Sequence, residues 1–185
     1  MKNFCLDLNT TTDKILGLDI STSCTGYSVV ETIQGRCVEL GYFQLDKCDG
    51  FFEKCNLFRK GLRDLKDRHP QIKIACIEEN LQAFRPGLSS AKTINTLARF
   101  NGAASLITYE ELRLEPAFLN AVSARSSLGI KIDKKSSLPT KQQIFDFVRP
   151  GLDIDWPVTK TGNYKTSCFD MSDAYVLARA GWLKR

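Results

Sequence analysis

Ile15-Leu16-Gly17-Leu18-Asp19 is an apolar strand that ends on a carboxylate. A buried charge without a partner is costly, so such a strand needs a reason to carry an aspartate at its tip. A second stretch, Ile72-Lys73-Ile74-Ala75-Cys76-Ile77-Glu78, repeats the arrangement. Near the C-terminus, Asp170 and Asp173 stand three apart, a spacing that puts both on one face of a helix. Four carboxylates from three elements make a hard oxygen donor set. That set suits magnesium, with manganese as a substitute, and these are cations of phosphodiester chemistry.

Outward from the first strand, apolar runs and turn signals predict strands over 15–20, 26–31 and 36–45, joined as an antiparallel meander. Phe51, Cys55, Phe58, Leu62 and Leu65 alternate spacings of four and three, which predicts an amphipathic helix ending near His69-Pro70. The buried strand 72–78 follows. A long helix is expected over about 90–112, with Ile94, Leu97, Ala98, Ala104, Leu106 and Ile107 inward and Gly102-Ala103-Ala104 permitting close approach to a neighbour. A short strand at 116–120 and helices at about 140–148 and 171–183 complete the order βββαβαβαα. This is an α/β pattern: a mixed sheet of about five strands, the first three antiparallel, flanked by helices. Residues 1–13 read as a flexible polar arm and 14–185 as a single domain.

The chain has 185 residues, 43% hydrophobic and 25% charged, enough to bury one core without disulfides or a structural metal. No stretch approaches the roughly 20 apolar residues of a membrane span, and the first residues lack the apolar run of a signal peptide. An intracellular, reducing compartment is expected, either cytoplasm or that of a host cell. Seven scattered cysteines with no CxxC pair, and His69 as the sole histidine, argue against zinc sites and histidine-based acid–base catalysis. The cysteines read as core filler, and His69 beside Pro70 as a solvated turn residue. The net charge of +5 is concentrated in one segment. Arg125, Lys131, Lys134, Lys135, Lys141, Arg149, Lys160 and Lys165 face only Asp133, Asp146, Asp153 and Asp155 there, a balance suited to contacting phosphates.

The first strand, followed by Ser21-Thr22-Ser23-Cys24-Thr25-Gly26-Tyr27, resembles the opening motif of the RuvC family of Holliday junction resolvases, within the ribonuclease H-like superfamily. Ala75-Cys76-Ile77-Glu78-Glu79 resembles the second motif, with Glu78 at the catalytic position. Phe169-Asp170-Met171-Ser172-Asp173-Ala174 resembles the closing one. The resemblance spans about residues 15–180. It implies a homodimeric, magnesium-dependent endonuclease with two metals per active site, making paired nicks in four-way DNA junctions during recombination or repair. Asp19, Glu78, Asp170 and Asp173 would be its catalytic metal ligands, with Lys141 also catalytic. Arg125, Lys131, Lys134, Lys135, Lys141, Arg149, Phe84 and Arg85 would contact DNA. Neither a membrane nor a nucleotide cofactor is implied.

Cellular members of that family carry an aromatic residue shortly after the catalytic glutamate. Here Leu81 stands at that place and Phe84 three residues later, leaving open which replaces it. The threonine-rich leader and the insert at 152–167 also depart from the compact bacterial form and point to a viral or phage-type branch. Two other readings compete. A nucleotide-binding protein of the actin and sugar-kinase type shares the apolar-Gly-apolar-Asp opening, but 185 residues cannot hold its second duplicated domain. A broader nuclease for flaps and Y-forks, or a non-catalytic DNA-binding module, is the remaining alternative.

Overall fold

The computed structural model describes residues 12–79 and 91–184, so Leu81, Phe84 and Arg85 lie outside the described residues, as does most of the N-terminal arm. Three strands open the fold: β1 (Lys14–Asp19), β2 (Cys24–Glu31) and β3 (Cys37–Gln44). They pair antiparallel, as the meander pattern predicts. Helix α1 (Phe51–Arg68) then carries the chain to β4 (Ile72–Glu78), which returns parallel to β1. Helix α2 (Ala91–Leu112) leads to β5 (Ala117–Leu119), parallel to β4. The five-stranded sheet has the order β3-β2-β1-β4-β5.

Period-two alternation decides what each face of the sheet meets. Leu16, Leu18, Val29, Ala75 and Ile77 point to one face, where Phe58, Leu62 and Leu65 of α1 and Phe100, Ala104 and Ile107 of α2 cover them. Ile15 and Cys76 point the other way, towards three further helices: α3 (Ala121–Ser127), α4 (Thr140–Val148) and α5 (Ser167–Leu183). By the same parity Gly17 and Asp19 of β1, and Glu78 of β4, belong to the second face. Among the described residues no helix is long and apolar enough to cross a membrane.

Several expectations need correction. Helix α3 escapes the sequence reading because it is only seven residues long, although Asn120 caps it by accepting a hydrogen bond from Ser123 N at 3.1 Å. Helix α5 starts four residues earlier than expected, at Ser167. On α2, Leu97, Ala98 and Leu106 are exposed rather than inward, and a Cβ on Gly102 would meet nothing within 4 Å among the described residues, so the close approach is made by Ala103 and Ala104 and not by Gly102. The core stripe is Phe100, Asn101, Ala104, Ile107, Thr108 and Leu112. Leu106 lies about 200° round the helix from Ala104, so apolar character alone misassigns it. His69 is not solvated: its side chain is 12% exposed, with Nε2 against Glu39 Oε2 at 2.5 Å and Nδ1 against Lys14 Nζ at 2.9 Å. The cysteine reading holds: Cys24, Cys55, Cys76 and Cys168 are buried and all described cysteines are free.

Helix α5 sits against the sheet through glycines. A Cβ on Gly17 would lie 2.2 Å from the Ala174 carbonyl oxygen, and one on Gly26 would lie 2.1 Å from that of Asp170. Both obstacles are backbone, so neither can turn aside. Gly26→Ala should therefore cost about 1–3 kcal/mol of stability, from overpacking, in urea denaturation. A variant as stable as wild type would show that the contact is looser than these distances imply.

Candidate active site

Asp19 closes β1 opposite Gly26, and the pairing of Leu18 with Ile77 sets Asp19 and Glu78 at neighbouring ends of parallel strands. In open α/β sheets this carboxyl-end rim is where ligands bind. Helix α5 crosses the same face and brings Asp170 in its first turn and Asp173 one turn on. Lys141, the second residue of α4, reaches in from the side. Its Nζ lies 2.7 Å from Asp170 Oδ1, 3.4 Å from Asp19 Oδ2 and 3.6 Å from Asp173 Oδ2. Arg125 of α3 approaches Asp173 from the other side, with Nη2 3.6 Å from Oδ1. Three of the four carboxylates thus share one ammonium.

The electrostatics are those of crowded acids. Burial raises the pKa of Asp19, Asp173 and Asp170 add repulsion, and Lys141 opposes both; the result is about 7. Glu78 is also raised, by burial and then by Asp19, against the pull of Arg125 and Lys141. Asp173 moves the same way, with burial again the main cause and Glu78 and Asp170 adding to it. For Lys141, burial opposes the charge, but Asp19, Asp170 and Asp173 outweigh it and hold the ammonium above its ordinary range. Glu78 therefore belongs to the same electrostatic group, although its side chain makes no contact with Lys141.

This donor set fits a hard divalent cation. Asp19 and Asp173 are 8% and 4% exposed, yet the countercharge they share is a half-exposed lysine. Among the described residues no three acidic, histidine or cysteine side chains stand in a ligating cluster; the Lys141 ammonium lies between the aspartates. A bound cation would require Lys141 to swing aside.

The remaining sequence candidates separate. Lys131, Lys134 and Lys135 are exposed in the loop between α3 and α4. Arg149 is engaged elsewhere: it donates to Tyr164 Oη at 3.1 Å and its guanidinium stacks 5.4 Å from that ring. Phe84 and Arg85 lie outside the described residues, and Glu79 is exposed. Two residues at the site escape the sequence reading. Cys24 stands beside Asp170, its thiol pushed far up first by burial and then by that carboxylate. Asn101, buried on α2, donates from Nδ2 to the Glu78 carbonyl oxygen at 3.5 Å and steadies the strand end. A polar residue in the apolar stripe of α2 is the available signal for Asn101.

Because its pKa is raised, Asp19 costs nothing below its ordinary value of 3.8, and its cost is fully present above about 7. In metal-free buffer Asp19→Asn should raise the melting temperature at pH 8, reflecting a gain in unfolding free energy on the order of 1 kcal/mol or more. The gain should shrink towards pH 4. Thermal melts across that range check it, and a destabilised variant at pH 8 would contradict it.

No protein-family model matches the chain, and no curated protein matches it by sequence. Solved structures do match. The chain superimposes on Thermus thermophilus RuvC in complex with a Holliday junction substrate with a TM-score of 0.65 at 15% identity, covering 94% of this chain and 95% of that one. The yeast mitochondrial Holliday junction resolvase gives 0.60 at 14% identity, over 92% of this chain and 78% of its own. The fowlpox virus resolvase, solved with substrate Holliday junction DNA, gives 0.50 at 13% identity, over 92% and 97%. With its antiparallel β1–β3, its parallel β4 and β5, and helices on both faces, the chain has the ribonuclease H-like fold of the RuvC-type Holliday junction resolvases.

Proposed function

We propose that this chain is a structure-specific endodeoxyribonuclease that resolves four-way DNA junctions by paired, metal-dependent hydrolysis of phosphodiesters, with residues 14–185 acting as one nuclease domain. One observation carries the reading. Asp19, Asp170 and Asp173 converge on a single ammonium, with Glu78 coupled to them, at the strand ends of a fold shared with junction resolvases over nine-tenths of the chain.

Asp19, Glu78, Asp170 and Asp173 would hold two divalent cations, magnesium or in its place manganese. When bound, such cations supply an acidified water and offset negative charge on the phosphate and the leaving 3′ oxygen. The chain's own groups supply the rest. Released from the carboxylates, the half-exposed Lys141 ammonium can donate to a non-bridging phosphate oxygen. Arg125, 19% exposed, stays against Asp173 and fixes its orientation. His69 takes no part, since it is bonded to Lys14 at the opposite end of β1. Lys131, Lys134 and Lys135, exposed in the loop between α3 and α4, would hold the DNA through its phosphates, with an affinity that falls steeply with salt.

Paired cutting needs two sites, and helix α2 supports a two-fold dimer. Besides its core stripe it carries a second one, Ala98, Gly102, Leu106 and Tyr109, all exposed, with Leu106 at 58% and Tyr109 at 49%. A two-fold axis through that stripe would present two identical centres to a nearly two-fold junction.

End-labelled four-way junction, flap, linear duplex and RNA–DNA hybrid, each with and without magnesium, test the activity. Wild type should nick the junction symmetrically and only with the metal, Asp19→Asn should lose at least about a thousandfold, and Lys141→Ala about a hundredfold. Equal cutting of flaps would widen the substrate to branched DNA. Metal-independent or absent cutting would overturn the enzyme reading in favour of a binding module. For the dimer, sedimentation of Leu106→Asp should show monomer, with single nicks replacing paired ones; an intact dimer would move the interface elsewhere.

A further inference from the structure

Helices α1 and α2, on the sheet face away from α5, both reach the rim that holds the carboxylates. Strand β3 ends at that rim, because Gln44 pairs with Cys24 next to the end of β1, and α1 starts seven residues later. Two hydrogen bonds tie the helices to the strands that carry Asp19 and Glu78. Lys54 Nζ donates to the Thr22 carbonyl oxygen, three residues after Asp19, and Asn101 Nδ2 donates to that of Glu78. The turns of α2 that precede Asn101 consequently run on past the strand ends, and Lys92 lies about 13 Å ahead of it along the axis. From Lys92 to Arg99 only Ile94 is even partly buried.

The corner so formed carries an aromatic pair beside a cation. Phe52 is 78% exposed, the highest value among the described large apolar side chains. Phe51 stands edge-on to it with ring centroids 5.4 Å apart, and is itself backed by Phe100 of α2 at 6.2 Å. The Arg99 guanidinium lies 5.2 Å from the Phe51 ring centre. Glu53, the next residue of α1, is turned back and accepts from Asp49 N. Helix α2 has Lys92 and Arg99 but no acid before Glu110. A single exposed apolar ring needs no explanation in itself. This one is set apart by rigid support from behind, a cation at its side and a place at the rim of the carboxylates.

A flat ring with a guanidinium beside it matches the chemistry of a nucleic-acid strand: the ring takes the face of a base, and the cation takes the adjoining phosphate. A protein partner would call for a wider apolar surface, whereas here the exposed neighbours Lys92 and Arg99 are charged. Linear duplex hides its base faces in the stack, while a four-way crossover interrupts the stack and bares them. We infer that Phe52 is a stacking platform for a base bared at the crossover, with Phe51 as its backing and Arg99 holding the phosphate beside it. The inference rests on the nuclease reading and adds to it a side chain by which the protein tells a junction from a duplex.

The test uses four-way junctions that carry one abasic site at a time at the crossover nucleotides, with linear duplex of the same sequence for comparison. Binding is measured by fluorescence anisotropy without metal, for wild type, Phe52→Ala, Phe52→Trp and Ile33→Ala, a control that trims an exposed apolar side chain at the opposite end of the sheet. Removing the stacked base should weaken wild type and the control about tenfold, and Phe52→Ala should lose about as much on the intact junction and then ignore the abasic site. Phe52→Trp should restore both the affinity and the response, and none of the variants should change duplex binding. Phe52→Ala should melt like wild type, since its ring lies mostly in solvent. Arg99→Gln should weaken every junction alike and make the salt dependence shallower by about one counterion; an unchanged slope would strike Arg99 from the assignment. The same abasic response in wild type and Phe52→Ala, or an equal loss on duplex and junction, would overturn the platform and leave the nuclease standing, provided wild type still cuts junctions with magnesium. Sedimentation of Phe52→Ala as a smaller species than wild type would show an interface between copies of the chain and overturn the assignment to a base. A wild type that neither prefers the junction to the duplex nor cuts it would sink both readings together.

Discussion

The close seating of α5 on the sheet is the constraint on which everything else depends. A helix normally packs about 10 Å from a sheet, separated by side chains from both. Here Gly17 and Gly26 remove the side chains from one partner, and Gly181 removes one from the other, where a Cβ would meet the Cys76 sulfur at 2.4 Å. The helix backbone consequently descends almost to the strands, and Asp170 and Asp173 arrive at the level of Asp19 and Glu78. With ordinary side chains at those glycines the four carboxylates would be spread over two layers, and Asp170 and Asp173 would stand too far from Asp19 to share one ammonium with it.

That seating collects negative charge where water is scarce, which stability alone would not favour. The chain tolerates it because α3 and α4 each deliver one cation, Arg125 and Lys141, to opposite sides of the aspartates. The two are not equivalent. Arg125 is mostly buried and has Asp173 as its acidic neighbour, whereas Lys141 is half exposed and divides its contacts among three carboxylates. One acid thus has a mostly buried cation to itself as well as a share of the second, while the other two have only the half-exposed lysine.

Much of this is legible in the sequence. Strands written with a carboxylate after an apolar run, and two aspartates three apart, disclose the acidic rim because the period of a strand and the turn of a helix are rigid rules. Lys141 stands out by resemblance rather than by pattern, since a lysine at the start of a helix looks like any solvated lysine. Helix α2 misleads because it has two apolar stripes, and only packing reveals which one meets α1. His69 misleads for a related reason: a histidine before proline suggests a turn, but Glu39, thirty residues earlier, comes from β3 to bind it. The charge of Arg149 is visible in the sequence, while its hydrogen bond to Tyr164, fifteen residues on, is not. Contacts between distant segments are what a linear reading lacks.

The place of α5 in the chain also bears on how the molecule comes into being. This helix covers β1 and β2, yet it follows them by some 150 residues, the separation across which Trp182 Nε1 bonds the Thr32 carbonyl oxygen. Until it emerges from synthesis, one face of the meander has nothing to rest on, and folding must wait for contacts of high sequence separation. The same helix brings half of the acidic residues. A nascent chain that has not finished folding therefore has no assembled centre, so the carboxylate cluster and the completed fold appear in the same event.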